Sequence, residues 1–287
     1  MTTLRVVMLG DIVGRPGRQA VAQQMEAIRQ RYQPDLVIAN AENAANGSGL
    51  TPELYRKLCQ AGLDGMTLGD HIYKKQQIVS VLEQENNITR PANLPANAKG
   101  KRWMKLQTPR GSLYVITVLG RIFMNLPAAD PFVTLDELLA TLPDKDAMVL
   151  VEVHAEATSE KQAIGWYLNG KVAAVVGTHT HVATADARIL SRQAGPSSQQ
   201  KVGGMQAGTA YMTDLGMCGP QESVLGRQIA PVLTHMTTAM PAPFDVAEGD
   251  PRVCGVFIEI DVKSRLAVAI ERIEYVADNS KPPFTAG

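Results

Sequence analysis

Cysteine is scarce in this chain, with three in 287 residues. Cys59, Cys218 and Cys254 are far apart and form no C-x-x-C pair, so neither a disulfide framework nor a thiolate zinc site is expected, and a reduced, cytoplasmic setting fits. Net charge is missing too: 28 Lys and Arg offset 28 Asp and Glu. That balance removes the electrostatic basis for wrapping a long nucleic acid through many phosphates, while a small phosphorylated ligand stays compatible with it. No apolar run reaches about 18 residues, because Glu152 and Gly177 interrupt the best stretches, so no membrane span is expected. The first apolar segment carries Arg5 and lacks a long h-region and a small-residue cleavage site, so no export signal is expected.

What is present is ordinary for a folded enzyme-sized chain: 45% hydrophobic and 20% charged residues, enough to bury a full core. One domain is expected over residues 1–277, with a loosely held tail at 278–287 that has two prolines and little apolar content. Short aliphatic runs alternate with segments of helical spacing, the pattern of a sheet with helices on its faces. Residues 4–9 read as a first strand. From Pro16 onward, Val21, Met25, Ile28 and Tyr32 recur at steps of four, three and four, which predicts a helix ending before Pro34. Residues 35–39 form a second strand, and Thr51 with Pro52 supplies an N-cap and first-turn proline for a helix carrying Leu54 and Leu58.

Further strands are expected near 65–69 and at 113–119, 147–153 and 172–176, with helices at 134–141 and 159–169. Residues 253–262 and 266–276 alternate across a Lys-Ser-Arg turn as a half-exposed antiparallel hairpin does. The stretches 86–103 and 191–209 are rich in Asn, Pro, Gly, Ser and Gln and read as long surface loops.

Chemistry-bearing residues concentrate behind the predicted strands. Four of the five histidines do so: His71 in Gly-Asp-His, His154 in Val-His-Ala-Glu, and His179 with His181 in Gly-Thr-His-Thr-His. Asp11 follows the first strand and Glu42 with Asn43 follows the second. In a parallel sheet the carboxyl ends of strands share one edge, where ligands bind. Taken singly, each residue has a plainer role: Asp11 as a turn or helix-entry residue, Glu42 and Asn43 as loop polars, His154 as a hydrogen-bonded core histidine. Joint occurrence after successive strands favours a metal site instead. Imidazole and carboxylate without thiolate suit Mn, Fe or Zn, and so many donors exceed what one ion uses; two ions about 4 Å apart could share them and serve displacement at phosphorus.

Gly10 to Gly17 invites a phosphate-loop reading, but the Gly-Lys-Ser/Thr ending is absent and turn geometry explains the glycines. Ser159 and Lys161 lie near His154, although Thr158 or Ser159 more simply caps the next helix. Arg15, Arg18, Lys74 and the 191–209 loop are candidates for lining a pocket, against the plainer reading of solvated charges.

The segments GDIVGRPGR, NAENAANGSGL, GDHIYKK, HAEATSEK, VVGTHTHVATADARIL and GTAYMTDLGMCGP resemble the YmdB-like branch of the calcineurin-type metallophosphoesterases, from about residue 5 to about 275. The resemblance implies an α/β fold, a four-layer αββα sandwich of two mixed sheets. It also implies a di-iron or di-manganese centre, divalent or mixed-valence, and phosphodiesterase activity on small diesters such as 2′,3′-cyclic nucleotides. By matching motif, Asp11, Glu42, Asn43 and His181 would hold one metal and Glu42, Asp70, His154 and His179 the other, with Glu42 as the bridge. His71 would be the proton donor, and a metal-bridging hydroxide the nucleophile.

This chain has Gly-Asp-His at 69–71 where the family usually has Gly-Asn-His. The extra negative charge is expected to tighten metal binding or favour a more oxidised iron, and to weaken attraction for an anionic substrate. It lends weight to a rival from another class, a signalling or scaffold protein that binds nucleotide at a retained metal site with little turnover. A metal-dependent amidohydrolase fits less well, because its H-x-H follows the first strand. Substrate, metal and subunit number, a homo-oligomer included, are left open by the sequence.

Overall fold

The computed structural model describes residues 2–144, 146–190, 201–202 and 205–278. In chain order the elements are β1 (Thr3–Leu9), β2 (Asp11–Ile12), α1 (Gly14–Tyr32), β3 (Leu36–Asn40), α2 (Pro52–Gln60), β4 (Gly65–Thr67), α3 (Ile78–Gln84) and β5 (Ile88–Thr89). Next come β6 (Met104–Thr108), β7 (Gly111–Leu119), α4 (Pro131–Thr141), β8 (Met148–His154), α5 (Thr158–Tyr167) and β9 (Ala174–Thr178). The last are β10 (Arg188–Ile189), β11 (Lys201–Val202), β12 (Met205–Gln206), β13 (Ala210–Met212), β14 (Met217–Glu222), α6 (Ile229–Thr238), β15 (Gly249–Asp261) and β16 (Ala267–Val276).

Two mixed sheets result. One runs β2-β14-β15-β1-β3-β4-β5, with β16 on the other edge of β15; the other runs β10-β13-β9-β8-β7-β6. β1, β3, β4 and β5 are mutually parallel, as are β7, β8, β9 and β13. Alternation along each strand sends its side chains two ways. Leu4, Val6, Met8, Leu36 and Ile38 meet Leu113, Val115, Leu150 and Val176 of the facing sheet. On the opposite face, Val7, Leu9, Val37 and Ala39 pack under Val21, Met25 and Ile28 of α1 and Leu58 of α2. The second sheet turns Ile116, Val118, Val151 and Val153 toward Leu135 and Leu138 of α4 and Ile164 of α5. Three apolar seams between helices, sheet, sheet and helices make the four-layer αββα sandwich. Each Leu, Ile or Val sealed in a seam contributes about 1.5–3 kcal/mol.

Local signals hold where the chain obeys them. Thr51 caps α2 by accepting from Leu54 N–H at 3.3 Å, with Pro52 in the first turn. The turn at 262–266 closes the expected antiparallel hairpin of β15 and β16. α1 begins at Gly14, two residues ahead of Pro16, and stops where Gln33 turns left-handed before Pro34. α4 begins three residues before 134, because Asp130 accepts from Phe132 and Val133 N–H groups and Pro131 opens the first turn. One capping expectation fails: α5 starts after Ala157, with no side-chain cap, and Thr158 and Ser159 are exposed in its first turn. The stretch 86–103 is not all loop, since β5 pairs with β4 there and Pro91 bridges to Thr117. Of the stretch 191–209, residues 191–200 and 203–204 lie outside the described residues, as does the expected tail beyond Asp278. Asp278 itself exchanges two backbone hydrogen bonds with the Gln23 side chain. No helix among the described residues is long and apolar enough to cross a membrane.

Candidate metal centre

Parallel strands in both sheets end at the same side of the sandwich, and their first loop residues face one another there. Asp11 lies two residues past β1, Glu42 and Asn43 follow β3, Asp70 and His71 follow β4, His154 closes β8, and His179 and His181 follow β9. Asp11, Glu42, Asn43 and His154 are buried.

The donors fall into two adjoining groups. In the first, ligand atoms of Glu42, Asp70, His154 and His179 all lie within 4.8 Å of one another. His154 Nε2 is 2.9 Å from Asp70 Oδ1, 3.1 Å from Glu42 Oε1 and 3.1 Å from His179 Nδ1. In the second, His181 Nε2 is 3.7 Å from Asp11 Oδ1 and 3.2 Å from Asn43 Nδ2. Glu42 Oε1 belongs to both, since it is also 3.5 Å from Asn43 Nδ2. The sequence-based residues are thus brought together, and His71 sits on the rim with its backbone N–H donating to Glu42 Oε2 at 2.8 Å.

Outer contacts decide which ring nitrogen faces inward. Thr178 Oγ1 spends its single hydrogen on Glu152 Oε1 at 2.7 Å, so His154 Nδ1 must donate to that hydroxyl at 2.9 Å, leaving Nε2 toward the centre. The carbonyl of Leu225 accepts from His181 Nδ1 at 3.0 Å, which leaves Nε2 inward. Glu156 lies 3.3 Å from His179 Nε2 and leaves Nδ1 inward. Such outer partners orient metal-binding histidines. Asn43 is turned the other way: Nδ2 faces the donors at 3.3 Å from Asp11 Oδ1, while Oδ1 accepts from His71 Nδ1 at 2.7 Å. A half-turn of the amide exchanges the two atoms.

The charges report the same crowding. Burial works to raise the Asp11 carboxyl, but His181, His154 and the His179 N–H hold it well below the usual range. Asp70 is likewise held low against its burial by hydrogen bonds from His154 and His179. Burial opposes charge on His154, yet Glu42 and Asp70 lift it well above 6.5, and Asp11 raises His181 against the same penalty. Inward lone pairs at 3.1 Å from one another need a proton or a cation between them. With oxygen and imidazole donors and no thiolate, the residues present fit hard-to-borderline divalent cations.

Several supporting residues carry no motif signal that sequence reasoning used. Glu152, fully buried, ties the sheets together by accepting from Asn40, Thr117 and Thr178. Its burial pushes its carboxyl above the usual range, with His154, Thr67, Asn40 and Thr178 pulling the other way. A lone Glu in the apolar strand Met148–His154 was the available sign. Of the pocket candidates, Arg18 is tied to the carbonyl of Ala44, while Arg15 and Lys74 are exposed.

A four-layer sandwich of two mixed sheets, with carboxylate and imidazole donors gathered at the strand ends, defines the metallophosphoesterase fold. More narrowly, residues 7–273 match the YmdB-like protein family, and the chain belongs to it. It is 41% identical over 270 residues to a 2′,3′-cyclic-nucleotide 2′-phosphodiesterase of Bacillus subtilis, covering 94% of this chain and 96% of that one. A crystal structure of a protein from Thermus thermophilus is 41% identical with a TM-score of 0.84, over 96% of this chain and all of that one. A Mycoplasma pneumoniae structure described as a novel phosphatase is 32% identical with a TM-score of 0.86, over 98% and 96% of the two chains.

Proposed function

We propose that the protein is a dinuclear metal-dependent phosphodiesterase acting on small diesters such as 2′,3′-cyclic nucleotides. The observation that carries the reading is Glu42 Oε1 between the two donor groups, 3.1 Å from His154 Nε2 and 3.5 Å from Asn43 Nδ2. Glu42, Asp70, His154 and His179 would hold one cation; Asp11, Asn43, His181 and again Glu42 would hold its neighbour. Iron or manganese fits this donor set. Such a pair supplies charge neutralisation at the phosphoryl oxygens and a nucleophile near neutral pH.

The chain's own residues account for the rest. Half-buried at the rim, His71 would give a proton to the departing alkoxide. A half-turn of Asn43 that offers Oδ1 inward makes Nδ2 a donor to His71 Nδ1, and the His71 proton then resides on Nε2. Asp70 and Glu42 hold the loop carrying His71. The similarity to the Bacillus subtilis enzyme supports the cyclic-nucleotide class. A cytoplasmic location fits three free cysteines and the lack of a membrane-spanning helix among the described residues.

The full chain, stripped with chelator and reloaded with Mn(II) or Fe(II), is assayed on an activated aryl phosphodiester and on 2′,3′-cyclic AMP. Hydrolysis of both only in the loaded forms is expected. No hydrolysis with two ions bound per chain would remove the enzymatic reading and favour a nucleotide-binding role.

A further inference from the structure

The segment from Gly177 to His181 carries one histidine of each donor group on a backbone that ordinary residues avoid. His179 has φ 96° and His181 φ 65°, left-handed values that persist in a non-glycine residue only where surroundings hold them. Thr180 lies between. Its N–H and its hydroxyl both donate to Asp214 Oδ2, at 3.3 and 2.8 Å. The same oxygen accepts from Lys161 Nζ at 2.6 Å, and Oδ1 accepts from Gly216 N–H at 2.8 Å.

Both charged side chains are 1% exposed. Lys161 reaches the pair from α5, and Asp214 comes from the segment after β13. Gly177 makes room for them: a Cβ there would lie 1.7 Å from Thr213 O and 2.9 Å from Lys161 Cδ. Desolvation of two buried charges largely offsets their attraction, so stability is a poor reason for this pair. Direction is a better one, because a carboxylate whose oxygens take donors from Thr180, Lys161 and Gly216 is fixed, and it fixes Thr180 in turn.

We infer that Asp214, backed by Lys161, is a positioning residue that clamps Thr180 so that His179 reaches one cation site and His181 the other. The clamp sets the spacing of the two sites. This rests on the dinuclear reading above.

Thr180→Val tests it, since the change keeps the branched shape and the ion pair while removing the hydroxyl bond to Asp214. Thr180→Ser is the conservative control, and Asp214→Asn the stronger perturbation. Mn(II) isotherms and electron paramagnetic resonance of the loaded full chain report affinity and the magnetic coupling of neighbouring ions. The parent is expected to bind two coupled ions. Thr180→Val loses about 10–100-fold in Mn(II) affinity together with the coupled signal, and Thr180→Ser restores both, with thermal melts alike for all three. Asp214→Asn loses at least as much; should it fail to fold, the two Thr180 variants decide. Parent affinity and parent spectrum in Thr180→Val overturn the clamp and leave the centre standing. A parent that binds no Mn(II) overturns the centre and the clamp together.

Discussion

Gly69 offers the most direct geometric test of the centre. A Cβ built on it would lie 2.3 Å from His154 Nε2 and 2.4 Å from Cδ2, where ordinary contact begins near 3.4 Å. Gly69→Ala therefore requires His154 and the 69–71 loop to part by about 1 Å. The ring cannot retreat, because it is fully buried and its far side is held by Thr178 Oγ1 at 2.9 Å. The loop must move instead, and it carries Asp70, 2.9 Å from His154, and His71. Gly69 is not left-handed, so alanine adds no backbone strain and the effect is steric. Overpacking of this kind costs about 1–3 kcal/mol of stability, and a misplacement of about 1 Å at a reacting centre costs on the order of 100-fold in rate. Diesterase kcat/KM, metal content per chain and a thermal melt are measured together. Gly69→Ala with the parent's turnover and metal content would refute the placement of His154 against this loop.

Other changes separate the roles of neighbouring residues. His71→Ala is expected to lower kcat about 10²–10⁴-fold on substrates with poor leaving groups and much less on activated aryl diesters; equal losses on both would deny it a proton-donor role. Asp70→Asn removes a charge that lies 2.9 Å from His154 Nε2, so it should weaken cation binding and lower KM for anionic diesters. Unchanged metal affinity and KM would count against that electrostatic account. A pH prediction follows from His154 and His181, both raised above 6.5 by their carboxylate neighbours against burial. Raised values stabilise the metal-free fold fully below the unfolded value near 6.5, and this contribution is lost as pH rises through the folded values. Cation binding runs the other way, because the protons occupy nitrogens the ions need. Its affinity should climb with pH, and calorimetry near pH 7 in buffers of differing ionisation enthalpy should show proton release; buffer-independent heats would contradict it.

Much was written in local order. The short aliphatic run in Thr3–Leu9 and the spacing along Gly14–Tyr32 announce a strand and a helix, because a strand buried on both faces is apolar nearly throughout and a helix that buries one face repeats its apolar residues every three or four positions. The candidate donors are legible for a related reason: groups that are to meet at the sheet edge stand at a strand's last residue or in the turn after it, so His154, His179 and His181 mark strand ends. Other elements are harder to read. α6 (Ile229–Thr238) spaces Ile229, Val232, Leu233 and Met236 as a helix does but buries only Val232, while β14 contains Gly219 and Pro220, which interrupt a strand pattern although β15 pairs with both.

Tertiary structure alone decided which distant groups support the donors. Asn40, Thr117, Glu152 and Thr178 meet beneath His154 from four strands of two sheets. Lys161 and Asp214 meet across 53 positions. A hydrogen bond depends on distance and angle in space, and separation along the chain carries almost no information about either once strands cross between layers. The sequence by itself supplied the donor types and their places at strand ends; the packing of two sheets chose which ring nitrogen faces inward, which carboxylate is shared, and how the H-x-H segment is bent.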